Sequence, residues 1–290
     1  MKKITSLTLA LVLLLSLAAC GNKSDAGSAS AGNDVSTPVG DDVSTPSKAN
    51  LTFSKSQGPY SILFEEAIQP ILEKQGYTIT AVDMADLLAA DIALNDGDVD
   101  FNVEQHTAYI NSFNDANNGD LVPISPIPTV PAGVYSSRHQ SLDEISDGAT
   151  IAVPNDASNM ARCYLMLQKL GLVTFNPDAD ISTLTQDDII DNPYNIEFVE
   201  MTNFNIPPAI DDFDYVAITG SVVYNAGIDP STALGNEDIL DHLVLQVTVK
   251  AENKDADWAK AIVDAYHSEE FKSYLAENND GLWWIPAELQ

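Results

Sequence analysis

The sequence predicts an α/β body divided into two lobes, and three observations carry that expectation. From about residue 50 onward, apolar runs of strand character alternate with helix-period patterns, as parallel βαβ units require. Midway, "LVPISPIPTVPAGVYSSRH" carries Pro123, Pro126, Pro128 and Pro131, which excludes a long helix and suits an extended crossover. The 290 residues exceed one average domain, and a hydrophobic content of 45% is ample for buried cores.

Each element follows from local pattern. "LTFSKS" (Leu51–Ser56) reads as a strand, and "SILFEEAIQPILEKQG" as a helix that Gly76 stops and Pro70 is expected to kink. "YTITAVDM" is the next strand, and "ADLLAADIALNDGD" a helix ending in a turn at Gly97. "VDFNVE" is a short strand and "HTAYINSFNDANNG" a helix. "TIAVPN" runs as a strand into a helix for which Asn155, Asp156 and Ser158 are all suitable caps. "NIEFVEM" and "YVAITG" read as strands, "LVLQVTVKAEN" (Leu243–Asn253) as a return crossing, and "ADWAKAIVDAYHSEEFKSYLAEN" as one closing amphipathic helix. Two lobes joined by two extended segments leave a cleft, where small ligands sit.

The N-terminus is more specific. "MKKITSLTLALVLLLSLAAC" places Lys2 and Lys3 before an apolar run from Leu7 to Leu17, too short to span a bilayer and of the form of a secretory signal. Its end, "LAAC", has the form of a lipoprotein box in which Cys20 becomes the lipidated first residue. Two acyl chains on that residue suffice for stable anchoring to a bilayer. Cys163 is the one other cysteine, so no internal disulfide is expected, and it reads as a small buried hydrophobe. The stretch after Cys20 is rich in small and polar residues and repeats DVSTP; it reads as a flexible tether with a root-mean-square span of about 30 Å.

Charge excludes some functions. With 43 acidic and 13 basic residues, the net charge of −30 argues against nucleic acid and against adhesion of the body to an anionic membrane. It favours a soluble, monomeric body. The sequence has no GxSxG, HExxH, CxxC, P-loop or GxGxxG pattern, so an enzyme is not expected. His106 has no second histidine at helical spacing, and "DGDVDFNVE" lacks the glycine and bidentate glutamate of a calcium loop. Neither a metal nor a cofactor is expected.

Against that charge, "VPNDASNMARCYLMLQKLG" is unusual because Arg162 stands in the early turns of a helix, facing the positive end of the macrodipole. Arg138 and Arg162 are the sole arginines. On composition alone, a pair with one of the chain's own carboxylates is favoured. The sharper alternative is a bound anion, which a guanidinium beside free helix N–H groups would hold bidentately.

Four stretches, "GPYSILFEEAIQPILEKQGY", "ALNDGDVDFNVEQHTAYI", "PAGVYSSRHQSLDEISDGATIAVPNDASNMARCYLMLQKLGLV" and "DAYHSEEF", resemble the NlpA/MetQ family of methionine-binding lipoproteins. These are substrate-binding components of ABC importers, and the resemblance runs from about residue 50 to the C-terminus. It implies a two-lobed periplasmic-binding-protein fold, type II-like. Residues 1–19 would then be the signal peptide and 20–49 the lipidated cysteine and linker. Residues 50–133 with 243–290 would form one lobe, and 134–242 the other. It implies capture of an amino acid, by family default L-methionine, for a permease and its ATPase, by a protein anchored on the extracytoplasmic side. Asn159 and Arg162 match positions that hold the ligand's carboxylate; Asn102, Gln105, His106 and Tyr109 match positions lining the cleft, and Tyr60 lies in the first matched stretch.

The departures bear on the ligand. Leu87, Ala90 and Asp91 stand where the family usually has Tyr, Pro and Asn; Glu104 replaces an aromatic residue, and Thr219 an asparagine that meets the head group. Another amino acid, a methionine derivative or a short peptide therefore competes with methionine. A surface lipoprotein acting through protein contacts, adhesin-like, is the rival of a different class.

Overall fold

The computed structural model describes residues 48–56, 58–279 and 281–290; the signal segment, Cys20 and the DVSTP repeats lie outside the described residues. The first strand, β1 (Asn50–Lys55), leads into α1 (Pro59–Leu63), a π turn (Phe64–Ile68) and α2 (Gln69–Lys74). Pro70 supplies no N–H and its ring crowds the carbonyl one turn earlier, so the expected kink takes the form of that π turn. Next come β2 (Thr78–Asp83), α3 (Leu87–Asp96), β3 (Phe101–His106), α4 (Thr107–Asn117) and β4 (Leu121–Pro126). Asp86 caps α3 by accepting from Ala89 N at 2.8 Å, and Gly97 ends it with φ of 81°, the left-handed conformation a glycine adopts at least cost.

After the proline-rich segment the chain enters a second sheet through β5 (Gly133–Tyr135) and β6 (Thr150–Pro154), followed by α5 (Ala157–Lys169). A small hairpin, β7 (Thr174–Phe175) with β8 (Ile189–Asp191), precedes β9 (Glu197–Met201), β10 (Tyr215–Ile218), α6 (Gly220–Asn225) and β11 (Gly235–Asn236). The chain then returns through β12 (Leu245–Lys250) and ends in α7 (Asp257–Tyr266) and α8 (Glu269–Asn278). The single closing helix expected from periodicity is two. His267–Ser268 interrupts it, with the Ser268 hydroxyl accepting from Phe271 N at 3.2 Å to start α8.

Two five-stranded sheets result, ordered β2-β1-β3-β12-β4 and β11-β5-β10-β6-β9. Both are mixed, where all-parallel units were expected. In the first, β1 runs parallel to β2 and β3, and β12 antiparallel to β3 and β4. The segment read as a return crossing is thus largely an interior strand. In the second, β6 runs parallel to β9 and β10, while β5 is antiparallel to β10.

Each sheet has its own core. In the first, Phe53, Phe64 and Phe101 meet at ring-centroid distances of 4.9 to 5.6 Å, beneath helices α1, α2 and α7. In the second, Tyr164 of α5 packs on Phe175 and Phe198, both at 5.3 Å, and Cys163 is a free, fully buried thiol. The buried apolar residues among those described form four clusters, two on each sheet and none shared between them, which explains why the body divides into lobes. Among the described residues no helix is long and apolar enough to cross a membrane.

The two connections between the sheets lie side by side. Ile127 N donates to Leu245 O at 2.8 Å, and Leu245 N to Thr129 Oγ1 at 3.0 Å. Thr129 and Trp284 exchange two backbone bonds of 2.9 Å, so the C-terminal segment clasps the same place. Gly220, the first residue of α6, touches this connection: a Cβ there would collide with the carbonyl oxygen and side chain of Val130. Gly220→Ala is therefore expected to cost about 1–3 kcal/mol, the usual penalty of overpacking. Urea unfolding would show it, and an unchanged midpoint would contradict so close an approach.

Candidate functional site

A cavity of about 320 Å³ lies between the sheets, lined from both. Its polar wall is built at strand ends. Ser56 follows β1, Glu104 to His106 end β3, and Asn155 to Arg162 follow β6, while Thr202 to Phe204 follow β9 and Thr219 follows β10. Parallel strands deliver their carboxyl ends to one side, which is where α/β sheets bind ligands.

His106 ends β3 and caps α4. Its Nδ1 accepts from Tyr109 N at 3.1 Å, which leaves Nε2 to carry the proton and donate to Asn159 Oδ1 at 3.2 Å. Burial, joined by the Arg162 charge, lowers the imidazole's pKa from 6.5 to about 3, so the ring is neutral. Asn159 Nδ2 in turn donates to Asp156 Oδ1 at 2.9 Å, and Asp156 caps α5 by accepting from Asn159 N at 3.0 Å. This chain of bonds runs from the first lobe into the second.

Arg162 is buried, and the carboxylate that composition asked for is Glu237. Arg162 Nε donates to Glu237 Oε2 at 2.8 Å and Oε1 at 3.0 Å, and Nη2 bonds Oε1 as well. Ala132 N donates to the same Oε1 at 2.6 Å. Burial works against the guanidinium's charge, but Glu237 outweighs it and holds the pKa above its ordinary value. One edge of the fork is therefore committed within the chain; Nη1 donates to no described residue.

The remaining expected residues divide clearly. Tyr60, Leu87, Glu104, Gln105, Tyr109 and Thr219 all line the cavity with His106, Asn159 and Arg162. Tyr60 Oη accepts from Val130 N at 3.1 Å, and burial pushes its phenol up to about 12. Thr219 Oγ1 accepts from Asn203 Nδ2 at 2.9 Å. Asn102 is off the cavity: it is fully buried and donates to Asp91 Oδ1 at 2.8 Å. Asp91, on the inner face of α3, is pushed from 3.8 to about 8, chiefly by burial, with the Glu104 charge adding to it.

Sequence reasoning missed Asn203, Asp86 and Glu237. Asn203 sits in a short turn with no periodicity to mark it, and Asp86 was legible only as a helix cap. Glu237 stands 75 positions from Arg162, and the one signal toward it was the need of a buried cation for an acid. Among the described residues, no group of three or more His, Cys, Asp or Glu could hold a metal ion.

A family model described as NlpA lipoprotein matches residues 51–287. The D-methionine-binding lipoprotein MetQ of Salmonella typhi is 32% identical over 201 residues, 68% of this chain and 74% of that relative. Outer membrane lipoprotein 3 of Mannheimia haemolytica is 31% identical over 225 residues, 77% of this chain and 85% of the other. Among solved structures, a nutrient-binding protein from Burkholderia cenocepacia bound to methionine superposes with a TM-score of 0.76. It is 28% identical, over 81% of this chain and 99% of that one.

Two outcomes follow from the site's electrostatics. Glu237→Ala strands a buried guanidinium and is expected to lose about 3–5 kcal/mol in chemical denaturation; a loss under about 1 kcal/mol would mean the pair is open in solution. Asp91 behaves differently. Its folded-state pKa is raised, from 3.8 to about 8, so the native chain keeps a proton that the unfolded chain has released, and stability falls as pH rises across that window. Asp91→Asn keeps the acceptor for Asn102 and removes the titration. Its melting advantage over wild type should widen from pH 5 to pH 8 and then level off, and a pH-independent difference would contradict a buried, protonated Asp91.

Proposed function

Because the chain belongs to the NlpA lipoprotein family, we propose that it captures a free α-amino acid between its lobes and hands it to an importer. The partners would be the permease and ATPase of an ABC transporter. The role is substrate binding rather than catalysis. In this reading residues 50–133 with 243–290 form one lobe and 134–242 the other, closing as a monomer. Cys20 carries the acyl chains that keep the body at the extracytoplasmic face of the membrane.

The observation that carries the reading is the cavity of about 320 Å³ with walls from both lobes. It supports a ligand that bridges the lobes and favours the closed form. Arg162 Nη1 is the cationic group left for the ligand's carboxylate, with the hydroxyl of Thr219 and the amide of Asn203 as head-group partners on the same lobe. Methionine, bound by the Burkholderia relative, gives the size class of ligand to test first.

The test is a thermal-shift screen of the whole chain against all free amino acids and methionyl dipeptides. At a hundredfold excess over Kd, binding to the native state adds about 2.7 kcal/mol, a shift of several degrees. X-ray scattering with the best ligand should give a smaller radius of gyration. No shift with any amino acid would end the amino-acid assignment, and expansion on binding would end the closing mechanism.

A further inference from the structure

The first-lobe wall of the cavity carries more negative charge than the fold requires. Glu104 is 5% exposed and lines the cavity. Its Oε1 accepts from Ser56 N at 2.8 Å and from the Ser61 hydroxyl, which fastens the start of α1 to the end of β3. A glutamine would serve those two donors equally well. The second oxygen, Oε2, is buried and has no partner among the described residues. Beside it, Gln105 is 1% exposed, with both ends of its amide also unpartnered.

No cation among the described residues compensates this carboxylate. Arg162 is the one Lys or Arg among the described lining residues, and Glu237 already balances it. The other acids on the cavity wall are engaged as helix caps, Asp86 for α3 and Asp156 for α5. Behind Glu104 lies a second buried carboxyl, Asp91, whose Oδ2 is likewise unpartnered. Burial raises the pKa of both; Asp91 keeps its proton and adds no charge, which leaves Glu104 as the acid on the cavity wall that the protein holds at a cost without a counter-charge of its own. A buried, unpaired carboxylate on a ligand cavity is relieved by a cation that arrives with the ligand.

We propose that Glu104, with the Gln105 amide beside it, forms a subsite for a positively charged group on the ligand's side chain, so that the preferred ligand is a basic amino acid. This rests on the amino-acid reading above, which assigns the head group to the second lobe and leaves the Glu104 wall for the side chain. A thioether offers that wall neither charge nor a hydrogen-bond donor; a primary ammonium offers both.

The test compares lysine with norleucine, which keeps the carbon skeleton and lacks the amine. Methionine and cadaverine (two amines, no carboxylate) complete the set, titrated by calorimetry into the whole chain and into Glu104→Gln. The melting temperature of the unliganded variant reports its folding. Lysine should bind at least about tenfold tighter than norleucine and methionine, since a hydrogen bond to a charged group is worth that much or more. Glu104→Gln should abolish that gap through loss of lysine affinity. Norleucine or methionine binding as tightly as lysine would overturn the subsite and leave the amino-acid reading intact. A lysine preference that survives in Glu104→Gln would overturn it too. Cadaverine binding alone, lost in the variant, would support the Glu104 subsite and overturn the amino-acid reading. No binding by any of the four would overturn both. Should the variant not fold, the lysine-to-norleucine ratio in wild type decides.

Discussion

A single buried guanidinium sets the terms on which the two lobes meet. Arg162 projects from α5, and what neutralises it comes from elsewhere in the chain: Glu237 from the segment that leads back to β12. Glu237 also receives the Ala132 N–H, so the outgoing and returning connections are fastened to the same carboxylate. A pair this buried adds little net stability over an apolar replacement, because desolvating both ions offsets most of their attraction. What it does provide is position. The helix that carries Asn159, and the Val130–Ala132 segment that Tyr60 and Gly220 touch, are held in fixed relation to the cavity.

The cavity's polar groups are largely spoken for by one another. His106, Asn159 and Asp156 form a directed series in which each proton position follows from the previous bond, ending at a helix N-terminus. A ligand entering here exchanges hydrogen bonds that already span the lobes, which favours discrimination over raw affinity. The orphaned atoms of Glu104 and Gln105 stand outside that economy, on the wall of the first lobe.

Much of this was legible in the chain because the signals were local. Strand and helix positions followed apolar periodicity, and Asp156 was among the three residues eligible to cap α5. Where expectation and structure part, the reason is one of reach or of competing local chemistry. The Ser268 cap, followed by two glutamates, was present in "HSEEF" but masked by amphipathic periodicity continuing on either side. The antiparallel course of β12 depends on where the chain goes after leaving the second sheet, which no window of neighbouring residues contains. Asn102 matched a cleft position in sequence, yet it is fully buried and bonded to Asp91. Glu237 needed knowledge of a contact between distant segments, and no spacing rule supplies that.

The position of β12 bears on how the chain reaches its fold. It lies between β3 and β4 in the first sheet, yet it is made only after the whole of the second sheet. Until residue 250 emerges, β3 and β4 have no strand between them, and the backbone groups they will offer β12 stay unpaired. The second sheet, by contrast, has all its strands contiguous in sequence and can condense while the first waits. Closing the first sheet then means bringing together segments separated by more than a hundred residues, a high-contact-order step that comes late and slowly. During synthesis, the unpaired edges of β3 and β4 are the surface most exposed to wrong partners.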